Sequence, residues 1–107
     1  MKKLFFYLLL SFSITALNAE KFDPSAKPGK IFNMVVTNPS DQKVLEAAKD
    51  YFCGLIMQPE GTFVDEKKDA RALLSNKDFW RNPVIRRLRS EMVKSCPKAY
   101  NKFFREQ

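Results

Sequence analysis

Thr37-Asn38-Pro39-Ser40-Asp41-Gln42-Lys43-Val44-Leu45-Glu46-Ala47-Ala48-Lys49-Asp50-Tyr51-Phe52-Cys53-Gly54-Leu55-Ile56 is the stretch that decides the fold. Asn38 is a capping residue type, and Pro39 suits the first helical position, where its missing N–H would have no intrahelical partner. Asp41 lies where a carboxylate answers the cap and meets the positive helix end. Behind this start Val44, Leu45, Ala48, Tyr51, Phe52, Leu55 and Ile56 recur at helical spacing. Cys53 falls opposite the Val44–Ala48–Tyr51–Leu55 stripe, so past Tyr51 the segment is apolar nearly all round. A helix that is apolar on two sides has to be covered on two sides, which makes this one central. Gly54 either admits another backbone at close range or ends the helix, and Pro59 and Gly61 end it in any case.

Toward the C-terminus, Asn82-Pro83 repeats the cap-plus-proline start. Ile85, Leu88, Met92 and Cys96 then fall within about 80° of arc at 100° per residue, so the second cysteine faces the core. Pro97 bends Cys96 away from helical angles, and a last turn or two carries Tyr100, Phe103 and Phe104. Between the two strong starts, Thr62 followed by Asp65 is a second capping signature. It opens a helix from Phe63 to Ser75 with a weak apolar face of Phe63, Val64, Ala70, Leu73 and Leu74. Residues 76–81 form a connector that carries Phe79 and the single tryptophan, Trp80. The expected fold is all-α, a three- to four-helix domain over residues 38–107.

Residues 20–37 read as an extended or disordered leader, an N-terminal arm to that domain. Glu20 to Lys30 is polar and holds Pro24, Pro28 and Gly29. Ile31-Phe32-Asn33-Met34-Val35-Val36 is a brief apolar run with no second strand to pair with, which favours an extended arm packed on the helices.

Residues 1–19 read as a secretory signal peptide. Lys2 and Lys3 precede the largely apolar run Leu4–Leu17, and Ala19 offers a small residue for cleavage. The run is 14 residues, short of the roughly 20 that span a bilayer. Its removal leaves 88 residues with 17 Lys+Arg against 12 Asp+Glu. A domain of that size is marginal on its own core, so the two cysteines matter. In a periplasmic or secreted protein Cys53 and Cys96 are expected to form a disulfide, worth about 4 kcal/mol for so long a loop in the chain-entropy account.

The absence of His excludes imidazole bases, Ser-His and Cys-His nucleophile pairs and zinc sites with imidazole ligands. Two cysteines cannot make a four-thiolate metal site, and they lack C-x-x-C spacing. The carboxylates Glu60, Asp65, Glu66 and Asp69 gather at a helix start, where helix-end electrostatics account for them. The sequence therefore reads as a non-enzyme with no cofactor and no metal.

Charge is distributed unevenly. Residues 20–70 hold 7 Lys+Arg and 9 Asp+Glu, whereas residues 71–107 hold 10 against 3 and contain all six arginines. The guanidinium fork suits carboxylate or phosphate and is frequent at interface centres. The expected partner-binding set is Arg81, Arg86, Arg87, Arg89, Lys94, Lys98, Lys102 and Arg105, with Trp80 and Phe103 as apolar anchors. Arg89 flanks the apolar stripe and needs either a carboxylate, Asp50 or Asp78, or a contact surface. An acidic protein is the favoured partner. An anionic membrane or lipopolysaccharide is the alternative, since Lys94, Lys98, Lys102 and Arg105 with Phe103-Phe104 make a basic amphipathic end. Nucleic acid is disfavoured, because no helix-turn-helix and no aromatic-bearing sheet is present. A homodimer is left open. In outline the chain resembles periplasmic acid-stress chaperones and periplasmic immunity proteins, which implies an inhibitor, immunity, accessory or chaperone role; the outline carries no residue over.

Overall fold

Asp41 starts the central helix. Its carboxylate accepts from the backbone N–H of Lys43 at 3.0 Å and of Val44 at 3.3 Å. The helix, α2, runs over Gln42–Ile56. Asn38, expected to cap it, instead closes the helix before it. The Asn38 backbone N–H donates to Met34 O and Val35 O, and its side-chain amide donates to Met34 O at 2.8 Å. That preceding helix is α1, Pro28–Thr37.

The computed structural model describes residues 22–105, and the signal-peptide reading of residues 1–19 lies outside them. Among the described residues there are five α-helices, one 3-10 turn and no strand. After α1 and α2 come α3 (Val64–Ser75), the 3-10 turn (Lys77–Phe79), α4 (Pro83–Ser95) and α5 (Pro97–Arg105).

The reading of residues 20–37 as an extended leader is corrected over 28–37, where the chain is helical. Pro28 sits at the first helical position, and Pro28, Phe32 and Val35 are buried at helical spacing while Asn33 and Met34 face outward. The β-branched content of Ile31–Val36 suggested extended backbone, but packing against α2 and α3 outweighs that propensity. The arm contributes a helix to the core.

α3 also starts differently from expectation. The Thr62 hydroxyl donates back to Pro59 O and caps nothing, and Phe63 precedes the helix in the left-handed region at φ +50°. A bulky residue there is strained by about 1–2 kcal/mol. The Phe63 ring is held edge-on against Phe22 with centroids 5.0 Å apart, which helps offset that strain. Asp65 and Glu66 occupy the first turn of α3, where they meet the positive helix end.

α2 is covered as its composition demands. It packs against α1, α3, α4 and α5, with Tyr51, Phe52, Cys53, Leu55 and Ile56 all buried. Gly54 admits the N-terminal segment: a Cβ at this position would lie 2.6 Å from Phe22 Cβ. The same segment is tied by Tyr51, whose hydroxyl donates to Ala26 O at 2.9 Å and whose burial pushes its pKa up to about 12. On the other side, Leu88 and Met92 of α4 are fully buried. Cys53 and Cys96 stand at disulfide distance, Sγ to Sγ 2.12 Å with Cα atoms 5.9 Å apart. Cys96 is the hinge between α4 and α5, as Pro97 predicts: its N–H closes α4 on Met92 O, and its carbonyl accepts from Tyr100 N–H to open α5.

Candidate partner-binding surface

The connector between α3 and α4 builds the central feature of the basic surface. Asn76 accepts from the Asp78 N–H at 2.9 Å and starts the 3-10 turn. Three residues of turn cannot bury two consecutive large aromatics on one side. Phe79 turns inward and packs edge-on against Phe32 of α1, centroids 4.9 Å apart. Trp80 is left 52% exposed. Asn82 then caps α4 by accepting from Val84 N–H at 3.0 Å and Ile85 N–H at 3.4 Å, as expected from Asn82-Pro83. This start places Ile85, Arg86 and Arg89 of α4 beside the two aromatics. Together the five residues line an open groove of about 490 Å³.

Of the two expectations for Arg89, a carboxylate or a contact surface, the carboxylate is not met among the described residues. The Arg89 Nε donates to the Tyr100 hydroxyl at 2.9 Å, and its guanidinium carbon lies 5.1 Å from the Phe104 ring centroid. The kink at Pro97 brings α5 back along α4, so the rings of Tyr100 and Phe104, 4.6 Å apart, reach the flank where Arg89 projects. The aromatic faces supply cation–π attraction in place of an ion pair.

The other expected contact residues divide by what they already hold. Arg81 and Arg86 are exposed and make no ion pair among the described residues. Arg87, also exposed, donates to Gln42 Oε1 at 2.8 Å and stitches α4 to the first turn of α2. Lys94 keeps a loose pair with Glu91 at 3.8 Å. Lys98 and Arg105 are exposed on α5. Lys102 binds Glu60 at 2.7 Å, and this hydrogen bond and charge hold the Glu60 carboxyl below its usual range.

Phe103 is corrected from surface anchor to core residue, since only 6% of it is exposed. The signal missed in the sequence is Arg71. Its guanidinium carbon lies 4.4 Å from the Phe103 ring centroid, and its Nε and Nη2 donate to Phe103 O at 3.4 and 3.2 Å. Phe103 is thus capped by an arginine from α3. Phe104 is half-buried under Arg89. The apolar face expected for the end of α5 is therefore largely turned inward.

A second concavity, about 370 Å³, lies between the 58–62 loop and α5 and includes Lys67, Arg71 and Lys102. Its cations already have protein acceptors. Lys67 Nζ donates to Gln58 O at 2.8 Å and Pro59 O at 3.0 Å, and burial pushes its pKa down. These contacts make the region a joint between α2, α3 and α5.

The sequence puts Trp80, Arg86 and Arg89 in one basic set, with Phe79 among the aromatics interleaved with it, but defines no groove and reads Ile85 as part of the core-facing stripe. The usable signal was the shortness of the Phe79-Trp80 connector ahead of a firm helix start at Asn82-Pro83.

No helix among the described residues is long and apolar enough to cross a membrane. No family model, curated protein or solved structure matches the chain.

Proposed function

We propose that this is an exported, non-enzymatic helical protein that binds an acidic protein partner through the basic surface of its C-terminal half, as an inhibitor, immunity or accessory protein. One observation carries the reading: an exposed tryptophan stands beside two arginines of α4 in a region with 10 Lys+Arg against 3 Asp+Glu. Tryptophan and arginine are the residue types in which interface energy concentrates. Periplasmic or secreted placement is supported by the signal-like residues 1–19 and by the cysteine pair at disulfide distance. The alternative reading, a surface for anionic lipid or lipopolysaccharide, loses support with Phe103 buried and Phe104 half-buried.

The test is affinity capture with the tagged chain under non-reducing conditions, followed by mass spectrometry. Charge reversal at Arg81 and Arg86, which bind nothing else among the described residues, is expected to lower recovery of an acidic protein at least tenfold with helicity unchanged. Recovery that is indifferent to both reversals refutes the reading.

A further inference from the structure

We infer that the Phe79–Trp80–Ile85–Arg86–Arg89 groove is the contact point itself, and that it takes an apolar side chain flanked by carboxylates on an acidic segment of the partner protein. This rests on the functional reading above and gives it a location and a ligand chemistry.

The groove has the parts such recognition needs. Its floor is rigid, because Ile85 is buried and Phe79 is held against Phe32. Its wall is Trp80, whose indole offers a large apolar face at low cost in side-chain freedom. Its rim is cationic. Arg86 and Arg89 are three residues apart on α4, hence neighbours on one face of the helix. Arg89 is fixed in advance: one edge of its fork is spent on Tyr100, and Phe104 lies beneath it. A fixed guanidinium loses less freedom on gripping a carboxylate than a free one. Arg86 is exposed and without an ion pair among the described residues, so it is available for a second carboxylate.

Charge complementarity selects the occupant. An apolar side chain alone would fill the groove but leave Arg86 and the rest of the Arg89 fork without a carboxylate, whereas flanking Asp or Glu residues satisfy the rim. A phospholipid surface would answer the charges, but the neighbouring helix α5 presents too little exposed apolar surface to enter it, with Phe103 buried and Phe104 half-buried.

The experiment uses the purified protein and capped pentapeptides of the form Glu-Glu-X-Glu-Glu with X as Leu, Phe or Ala, and Gln-Gln-Leu-Gln-Gln as the uncharged counterpart. Binding is read by calorimetry and by Trp80 emission, which is unambiguous because the chain has one tryptophan. The Leu and Phe peptides are expected to bind saturably with a blue shift. Binding should be at least tenfold weaker for the Ala-centred and uncharged peptides, and for Arg86→Gln and Trp80→Ala proteins. Lys68→Gln, at an exposed site on α3 outside both the groove and the basic C-terminal set, should leave it unchanged. No saturable binding at millimolar peptide overturns the groove assignment. Equal weakening by Lys68→Gln overturns it too, because the peptides would then answer net charge rather than the groove, while the capture test still decides whether the basic surface takes an acidic partner. A Trp80 shift with phosphatidylglycerol vesicles and none with peptides makes the occupant a membrane, and both proposals fall.

Discussion

At Gly54 a single hydrogen atom decides whether the N-terminal segment can reach the core. A glycine inside a helix ordinarily destabilises it by about 1 kcal/mol relative to alanine, so Gly54→Ala would be stabilising if nothing lay against it. Here the added methyl would sit 2.6 Å from Phe22 Cβ and 3.4 Å from Phe22 Cα, atoms that cannot swing aside. Gly54→Ala is therefore expected to lower stability in urea unfolding by about 1–3 kcal/mol, the usual range for overpacking. Repeating the substitution in a Phe22→Ala background should lessen the loss, because the segment it displaces then contributes less. A stabilising Gly54→Ala would mean that Phe22 does not dock there. The sequence left two meanings for this glycine, and only the position of Phe22, thirty-two residues earlier, chooses between them.

Helix boundaries illustrate the same division at the level of elements. Asn82-Pro83 behaves as its local chemistry dictates, since nothing else competes for the Asn82 side chain. Asn38-Pro39 looks the same in sequence and acts otherwise, because a helix already precedes it and offers free carbonyls at Met34 and Val35. The outcome is measurable. Asp41→Ala should cost about 1 kcal/mol through loss of the α2 cap. Asn38→Ala should leave α2 capped and instead loosen the end of α1, visible as faster exchange of the backbone amide at position 38 after correction for the intrinsic rate of the new residue. Equal exchange at Lys43 and Val44 in wild type and Asp41→Ala would contradict the assignment. α1 was missed for a related reason: Ile31 to Val36 has the β-branched composition of an extended segment, while the burial of Phe32 and Val35 that makes it a helix depends on α2 and α3 being in place.

For the whole molecule, the Cys53–Cys96 pair, at disulfide distance, joins the central helix to the α4–α5 hinge across 43 residues of sequence. Reduction, or replacement of Cys53 and Cys96 by serine, is expected to lower stability by about 4 kcal/mol on the loop-closure account. That is a large share of the roughly 5–15 kcal/mol that folded domains possess. Chemical denaturation with and without reductant measures it; coincident midpoints would show that the pair does not cross-link the fold in solution. The same pair sets the α4–α5 hinge against α2, and from that hinge Tyr100 and Phe104 reach Arg89 on the rim of the proposed groove.

What the sequence determined by itself was local or cumulative: the helical periodicity of α2 and α4, the cap at Asn82, the core-facing direction of Cys96, and the gathering of arginine after residue 70. Each depends on residues within a few turns of one another or on a simple sum of charge. Tertiary structure alone decided which of the cations are occupied and which aromatics are hidden. Arg71 covers Phe103 across 32 residues, Arg87 meets Gln42 across 45, and Arg89 turns to Tyr100 because Pro97 folds the last helix back. Side-chain partners of that kind are set by where helices cross, and crossing geometry comes from packing rather than from the pattern along any one helix.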